Sequence, residues 1–155
     1  MVIYLARHGD ASKPSLGQPS VLTAKGKSDI ARTISALRGK NARFSRVWHS
    51  PKPRAAQTAA FYLESLGVPG SVPEEVKELS PGGDAQTVLE KIETEKIDSL
   101  LIVSHLPLLG HLAFLMLGNS EDRSPLPFPT SSVACLEEKP GQIWEWLWSA
   151  DPSSK

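Results

Sequence analysis

Arg7 and His8 stand directly behind the apolar run Val2 to Ala6 and directly before Gly9. A run of that kind, rich in β-formers, suits a strand buried on both faces. It therefore delivers a cation and an imidazole together to the carboxyl end of a strand. Neighbouring side chains on a regular strand point to opposite faces, so Arg7 and His8 share a pocket only where the backbone leaves strand geometry. Gly9 permits that turn and lets a ligand approach the main chain closely. Two further strand-like runs end in the same fashion. Arg46 to His49 leads into Ser50-Pro51-Lys52-Pro53-Arg54, and Leu100 to Ser104 leads into His105.

Arginines and histidines gathered at strand ends suit phosphoryl chemistry, which asks mainly for positioning and for compensation of oxygen charge. The guanidinium forks of Arg7 and Arg54 match the non-bridging oxygens of a phosphate. Neutral His8 can act as a nucleophile if its other ring nitrogen is held, most simply by a backbone carbonyl near Gly9. His105 would add a hydrogen bond or positive charge; the two arginines should lower its pKa and a bound phosphate dianion should raise it. On residue type alone the plainer readings stand beside these: satisfied core histidines for His8 and His105, surface ion pairs for Arg7 and Arg54. The second reading fits Arg54 poorly. Pro51 and Pro53 confine the turn before it and leave it at a helix N-terminus, where free N–H groups and the dipole already favour an anion. Ser50 and Ser104 read as residues that shape their loops. Asp10, two residues from His8, is a candidate proton donor to a leaving group or an ordinary solvated carboxylate.

The elements that position these residues can be read from period and punctuation. Asp10 to Pro19 has no periodicity and reads as a loop over the site. Thr23 is an N-cap for a helix over Ala24 to Arg38, with Ile30, Ile34 and Leu37 on one face and Lys25, Lys27, Asp29 and Arg32 on a solvated one. A second helix opens at Pro53, buries Ala56, Ala59, Leu63 and Leu66, and stops at Gly67. A short extended piece falls near Val76, and Asp84 caps a third helix whose inward face is Val88, Leu89 and Ile92. Pro107 opens a fourth, with Leu108, Leu109, Leu112, Leu115 and Met116 inward, ended by Gly118. Asn119 to Pro129 reads as a surface loop. Val133 to Leu136 and Ile143 to Trp148 read as a hairpin joined through Lys139-Pro140-Gly141-Gln142. The alternation of Trp144, Trp146 and Trp148 puts all three on one packed face.

Strands alternating with helices imply an α/β fold: a single-domain, three-layer α/β/α sandwich with a mainly parallel central sheet. Residues 1–150 form that domain and 151–155 a polar, frayed tail. In such a sheet, ligands bind outside the carboxyl ends of the strands. Arg7, His8, Ser50, Arg54 and His105 all fall there.

Composition narrows the function classes. With 17 basic and 17 acidic residues the formal net charge is zero, so no bulk field draws the chain to nucleic acid or an anionic membrane. Phosphate affinity must be local. The single cysteine, Cys135, excludes an intramolecular disulfide and fits a reducing, cytoplasmic setting. Val2 to Ala6 is too short for a signal-peptide core, and no apolar stretch is long enough to span a membrane. His49 and His111 show no ligand spacing with His8, His105 or Cys135, so no metal and no other cofactor is expected. Gly82-Gly83 has no following Gly-Lys-Ser/Thr and is not a P-loop.

The Arg7-His8-Gly9-Asp10-Ala11 opening, Ser50 to Ala59, the Glu78 to Asp84 loop and Val103-Ser104-His105-Leu106-Pro107, in that order, resemble the histidine phosphatase (phosphoglycerate mutase-like) superfamily. The likeness is greatest to its short SixA-type phosphohistidine phosphatases and runs from Met1 to Trp148. Leu22-Thr23-Ala24-Lys25-Gly26 resembles the family's helix start. The resemblance implies a phosphoglycerate mutase-like fold and a metal-independent phosphatase working through a covalent phospho-His8. It implies phosphate binding by Arg7, His8, Arg54 and His105. Larger members carry a helical lid between the second and third helices, and this chain has no room for one. An open pocket suits a phosphohistidine carried on a protein domain, with a small phosphate ester as the alternative substrate and a non-catalytic phosphate-binding regulatory module as the alternative function. Glu78 matches the position of the acid in lidded members and rivals Asp10 for that role. Oligomeric state is left open.

Overall fold

The computed structural model describes residues 1–118 and 128–154. Six strands, β1 (Val2–Arg7), β2 (Arg46–His49), β3 (Pro73–Glu75), β4 (Ser99–Ser104), β5 (Val133–Lys139) and β6 (Ile143–Ala150), form one sheet in the order β3-β2-β4-β1-β5-β6. β3, β2, β4 and β1 run parallel, while β5 and β6 run antiparallel as the hairpin. Helices α1 (Ala24–Gly39) and α2 (Pro53–Leu66) cover one face, and α3 (Ala85–Glu95) and α4 (Leu108–Leu117) the other. This is the three-layer α/β architecture expected.

The period-2 alternation of buried strands divides the core between the two faces. Ile3, Leu5, Trp48, Leu100 and Ile102 pack with Val88, Ile92, Leu109 and Leu112 of α3 and α4. Tyr4, Ala6, Val47, Leu101 and Val103 pack with Ile30, Ile34, Leu37, Ala59 and Tyr62 of α1 and α2. Each fully buried Leu, Ile or Val among them contributes about 1.5–3 kcal/mol. Register then decides where the strands end. Arg7 lies opposite Ser104, and His49 opposite Val103, so β2, β4 and β1 finish side by side.

The starts of α1 and α3 are fixed by side-chain caps. Thr23 accepts from the Gly26 N–H and Asp84 from the Thr87 N–H, each satisfying a donor the helix itself leaves free. The segment between α2 and α3 holds only β3 and a 3-10 turn, Lys77–Leu79. No helical lid is present there. The extended piece lies at Pro73–Glu75, just before Val76, which begins that turn.

Several expectations are corrected. Asp29 is buried, not on a solvated face: Lys25 and Arg32 both close over its carboxylate. Ala56 and Leu63 are only partly buried, while Ala55 and Tyr62 supply the inward face of α2. Leu115 is exposed, because the buried stripe of α4 runs through Leu112, Ala113, Met116 and Leu117. The three tryptophans do not share a face. Cys135 pairs with Trp148 and Leu136 with Trp146, leaving Leu147 unopposed; this bulge reverses the alternation. Trp144 and Trp146 pack on the α3/α4 side and Trp148 on the other. The tail makes a turn through Ser154, with Asp151 accepting from Ser153 and Ser154. Most of the expected Asn119 to Pro129 loop, residues 119–127, lies outside the described residues.

Gly26 shows why the start of α1 tolerates no side chain. A Cβ there would stand 2.3 Å from the Asp10 carbonyl oxygen, a backbone atom that cannot swing aside. Helix propensity alone favours alanine over glycine by about 1 kcal/mol. Gly26→Ala should nevertheless lose at least about 1 kcal/mol in urea unfolding, with the m-value unchanged. A variant as stable as the parent would contradict this contact.

Candidate active site

Where β1 ends, the chain changes partners. The Arg7 N–H donates to the Ser132 carbonyl at 3.0 Å and the His8 N–H to the Ser104 carbonyl at 3.1 Å. The His8 carbonyl in turn accepts from the Ser131 N–H at 3.1 Å. Ser131 is held by its own carbonyl, which accepts from Thr33 Oγ1 at 2.7 Å and from the Tyr62 hydroxyl at 3.4 Å. The nucleophile candidate is thus fastened to both neighbouring strands' continuations before its side chain does anything.

The imidazole of His8 has one tautomer available. Nδ1 lies 2.7 Å from the Gly9 carbonyl oxygen, an atom that only accepts, so Nδ1 carries the hydrogen and Nε2 the lone pair. The carbonyl expected near Gly9 is that of Gly9 itself. Arg54 Nε donates toward His8 Nε2 at 3.4 Å, which brings the arginine at the start of α2 onto the nitrogen that carries the lone pair. The His8 and His105 rings lie 4.9 Å apart between centroids.

His105 is buried, its Nε2 2.7 Å from Ser50 Oγ. Ser50 therefore orients a histidine in addition to shaping its loop, where its hydroxyl also accepts from the Lys52 N–H at 3.2 Å. Among the described residues, His105 Nδ1 and Arg7 Nε are buried with no hydrogen-bond partner. Buried polar atoms left unpaired in a native fold call for a reason, and both belong to the cluster of cations and imidazoles at the strand ends. Arg7 spends its other end on the Phe128 carbonyl, to which NH1 donates at 2.8 Å.

The two candidate carboxylates stand apart. Asp10 lines a cavity of about 400 Å³ together with Arg7, His8, Pro14, Ser20 and Arg54, and its Oδ2 accepts from Thr23 Oγ1 at 2.7 Å. The loop after it is an ordered arm, bridged at Ala11 with Leu22 and at Ser15 with Gln18, and it forms one wall of that cavity. Glu78 sits on the 3-10 turn behind β3. Ser104 Oγ donates to the Leu79 carbonyl at 2.6 Å and the Val76 N–H to the His49 carbonyl at 2.9 Å, pinning that turn to the carboxyl ends of β4 and β2. The Glu78 carboxylate makes no hydrogen bond or ion pair among the described residues.

Burial is the main influence on both rings. It pushes the His8 pKa below the ordinary histidine value; the Gly9 carbonyl opposes this, Arg54 and Arg7 add to it, and Asp10 opposes it. His105 is pushed down to about 3, by burial first and then by the charges of His8, Arg54, Lys52 and Arg7. Both imidazoles are neutral near pH 7, so His8 Nε2 keeps its lone pair. Among the described residues, no group of three His, Cys, Asp or Glu side chains is arranged to hold a metal ion, and no helix is long and apolar enough to cross a membrane.

Thr58 and Ser131 were not marked by sequence. Thr58 lies in the quoted Ser50 to Ala59 segment, but its position four residues after Arg54 reads simply as helix. Ser131 shows its significance only through a left-handed backbone, φ 64°.

Comparison with known proteins identifies the family. The profile of the Histidine phosphatase superfamily (branch 1) matches residues 3–95. The chain is 33% identical to the phosphohistidine phosphatase SixA of Escherichia coli, covering 96% of this chain and 94% of that one. It is 27% identical to the phosphohistidine phosphatase SixA homolog of Haemophilus influenzae, covering 88% and 87%. The solved structure of the protein histidine phosphatase SixA complexed with tungstate superposes with a TM-score of 0.84 at 29% identity, covering 98% of this chain and 97% of that chain. By the match of its first three strands and their helices and by its identity with SixA along nearly its whole length, the chain belongs to the histidine phosphatase superfamily and is a phosphatase.

Proposed function

We propose that this phosphatase removes phosphoryl groups from histidine side chains of proteins through a phospho-His8 intermediate, without a metal. The observation that carries the reading is the His8 ring itself: Nδ1–H held on the Gly9 carbonyl and a lone pair at Nε2 facing Arg54. Nε2 attacks phosphorus in line as the bond from phosphorus to the substrate's ring nitrogen breaks. That nitrogen takes up a proton, from Asp10, Glu78 or water, and leaves as neutral imidazole. Water then attacks phospho-His8, releasing inorganic phosphate and restoring the lone pair. Arg7, Arg54 and the free Nδ1 of His105 stabilise the equatorial oxygens. Protein substrates are favoured by the absence of a helical lid between α2 and α3, and by the names of the relatives.

Phosphate release is measured from a phosphohistidine-bearing protein domain and from an aryl phosphate ester, with chelator present. The protein substrate should be preferred, His8→Ala should be inactive, and Arg54→Ala should lose about 10²–10³-fold in kcat. Preference for the ester would make the chain a small-molecule phosphomonoesterase, and phosphate binding without turnover would make it a binding module.

The labile P–N bond needs little acid assistance. Asp10→Asn and Glu78→Gln should therefore each cost less than about 10-fold on phosphohistidine, while whichever removes the proton donor costs about 10²–10⁴-fold on the ester. Equal losses on both substrates would contradict the assumed leaving-group chemistry.

The depressed pKa of His105 has a stability consequence. Below pH 6.5 the unfolded chain binds a proton that native His105 refuses until about pH 3, so acidification across that window favours unfolding. His105→Asn should flatten the decline in folding free energy between pH 6.5 and 4, and the His105 ring resonances should not titrate in that range without phosphate. A ring that titrates near 6.5 would contradict the neutral assignment.

A further inference from the structure

We infer that Thr58 is a positioning residue that sets the distance between His8 and Arg54, a role resting on the reading of His8 as nucleophile. Its side chain is fully buried on α2, one turn after Arg54. Thr58 Oγ1 accepts from the Gly9 N–H at 3.0 Å and donates to the Arg54 carbonyl at 2.8 Å. A hydroxyl has one hydrogen, and here it is committed to the Arg54 carbonyl because the Gly9 N–H can only donate. Both ends of the bridge are therefore determined.

What the bridge joins matters. The Gly9 peptide whose carbonyl fixes the His8 tautomer is one covalent residue from the Gly9 N–H that Thr58 holds. Arg54, whose Nε reaches His8 Nε2 at 3.4 Å, hangs from the backbone whose carbonyl takes the Thr58 proton. The turn after β1 and the first turn of α2 are far apart in sequence, and this hydroxyl ties them directly. The Gly9 side is closely packed, since a Cβ on Gly9 would stand 2.9 Å from Ile30 Cδ1 and 3.0 Å from Leu22 Cδ2, and those side chains would have to shift to admit one. Without the hydroxyl the Gly9 N–H is left buried and unpaired, the Gly9 peptide can tilt, and the His8 ring loses its fixed acceptor.

The test compares Thr58→Val, which keeps the shape and removes the hydroxyl, with Thr58→Ser, which restores it. Ser45→Ala serves as control, since Ser45 makes a like side-chain bond to the Ser99 carbonyl at the opposite end of the sheet. One readout is independent of turnover: the ring ¹⁵N shifts of His8, which report the tautomer. Thr58→Val should move them from the Nδ1–H pattern toward the average of the two tautomers, and Thr58→Ser should leave them unchanged. The other readout is kinetic. Thr58→Val should lower kcat by about 10–10²-fold with KM within about twofold, the split expected when an interaction that serves only the transition state is lost. Thr58→Ser and Ser45→Ala should keep kcat.

An unchanged His8 signature in folded Thr58→Val overturns the positioning role. So does an altered signature with parental kcat, or an equal kcat loss in Ser45→Ala. A parent protein that turns over neither substrate contradicts the functional reading instead, while the His8 signature still decides whether Thr58 fixes the ring.

Discussion

The hydrogen bond from His8 Nδ1 to the Gly9 carbonyl is the constraint on which the site depends. Without it the imidazole has two tautomers and a free ring angle, and the neighbouring arginine has no fixed partner. With it, Nε2 is the only basic nitrogen and it points at Arg54. Much of the surrounding structure serves to hold that peptide still. Ser131 and Ser104 grip the His8 backbone, Thr58 grips Gly9, and Thr33 and Tyr62 hold Ser131. These bonds lie within a well-packed core, where local low dielectric strengthens a satisfied network and penalises a broken one.

The sheet order turns this local arrangement into the proposed phosphate site. β4 lies between β2 and β1, so three residues that follow strands, His8, Ser50 and His105, arrive at one edge. Arg54 reaches the same edge from the N-terminus of α2, where the helix's own free N–H groups add to the positive potential. The chain as a whole carries no net charge. The phosphate affinity proposed for it would be a product of topology, which concentrates Arg7, Arg54 and two imidazoles against few carboxylates. Burial keeps both imidazoles neutral, so the arginines supply the charge and His8 keeps the lone pair that the proposed attack requires.

The strand-and-helix order, the four helix starts and the strand-end clustering of Arg7, His8, Arg54 and His105 were legible in sequence. Each rests on local signals: short apolar runs, proline and glycine punctuation, capping residues. What was not legible depended on tertiary detail. The bulge at Leu147 separates Trp146 from Trp148 although their spacing says one face. Asp29 looks solvated until Lys25 and Arg32 fold over it. Thr58 looks like any helix threonine until the Gly9 N–H is found against it. The Asp10 and Glu78 alternatives stay unequal in setting: Asp10 shares the cavity wall with His8, whereas Glu78 is carried to the strand ends on its own turn.

The central claim is that phosphorus becomes bonded to His8 during turnover. Its most direct test is rapid alkaline quenching of the enzyme with a phosphohistidine-bearing domain, followed by mass analysis of the peptide holding His8. The account predicts a phosphoryl adduct on His8 that forms and decays at rates compatible with kcat. Turnover with no adduct at His8, or with the adduct on another residue, would contradict it.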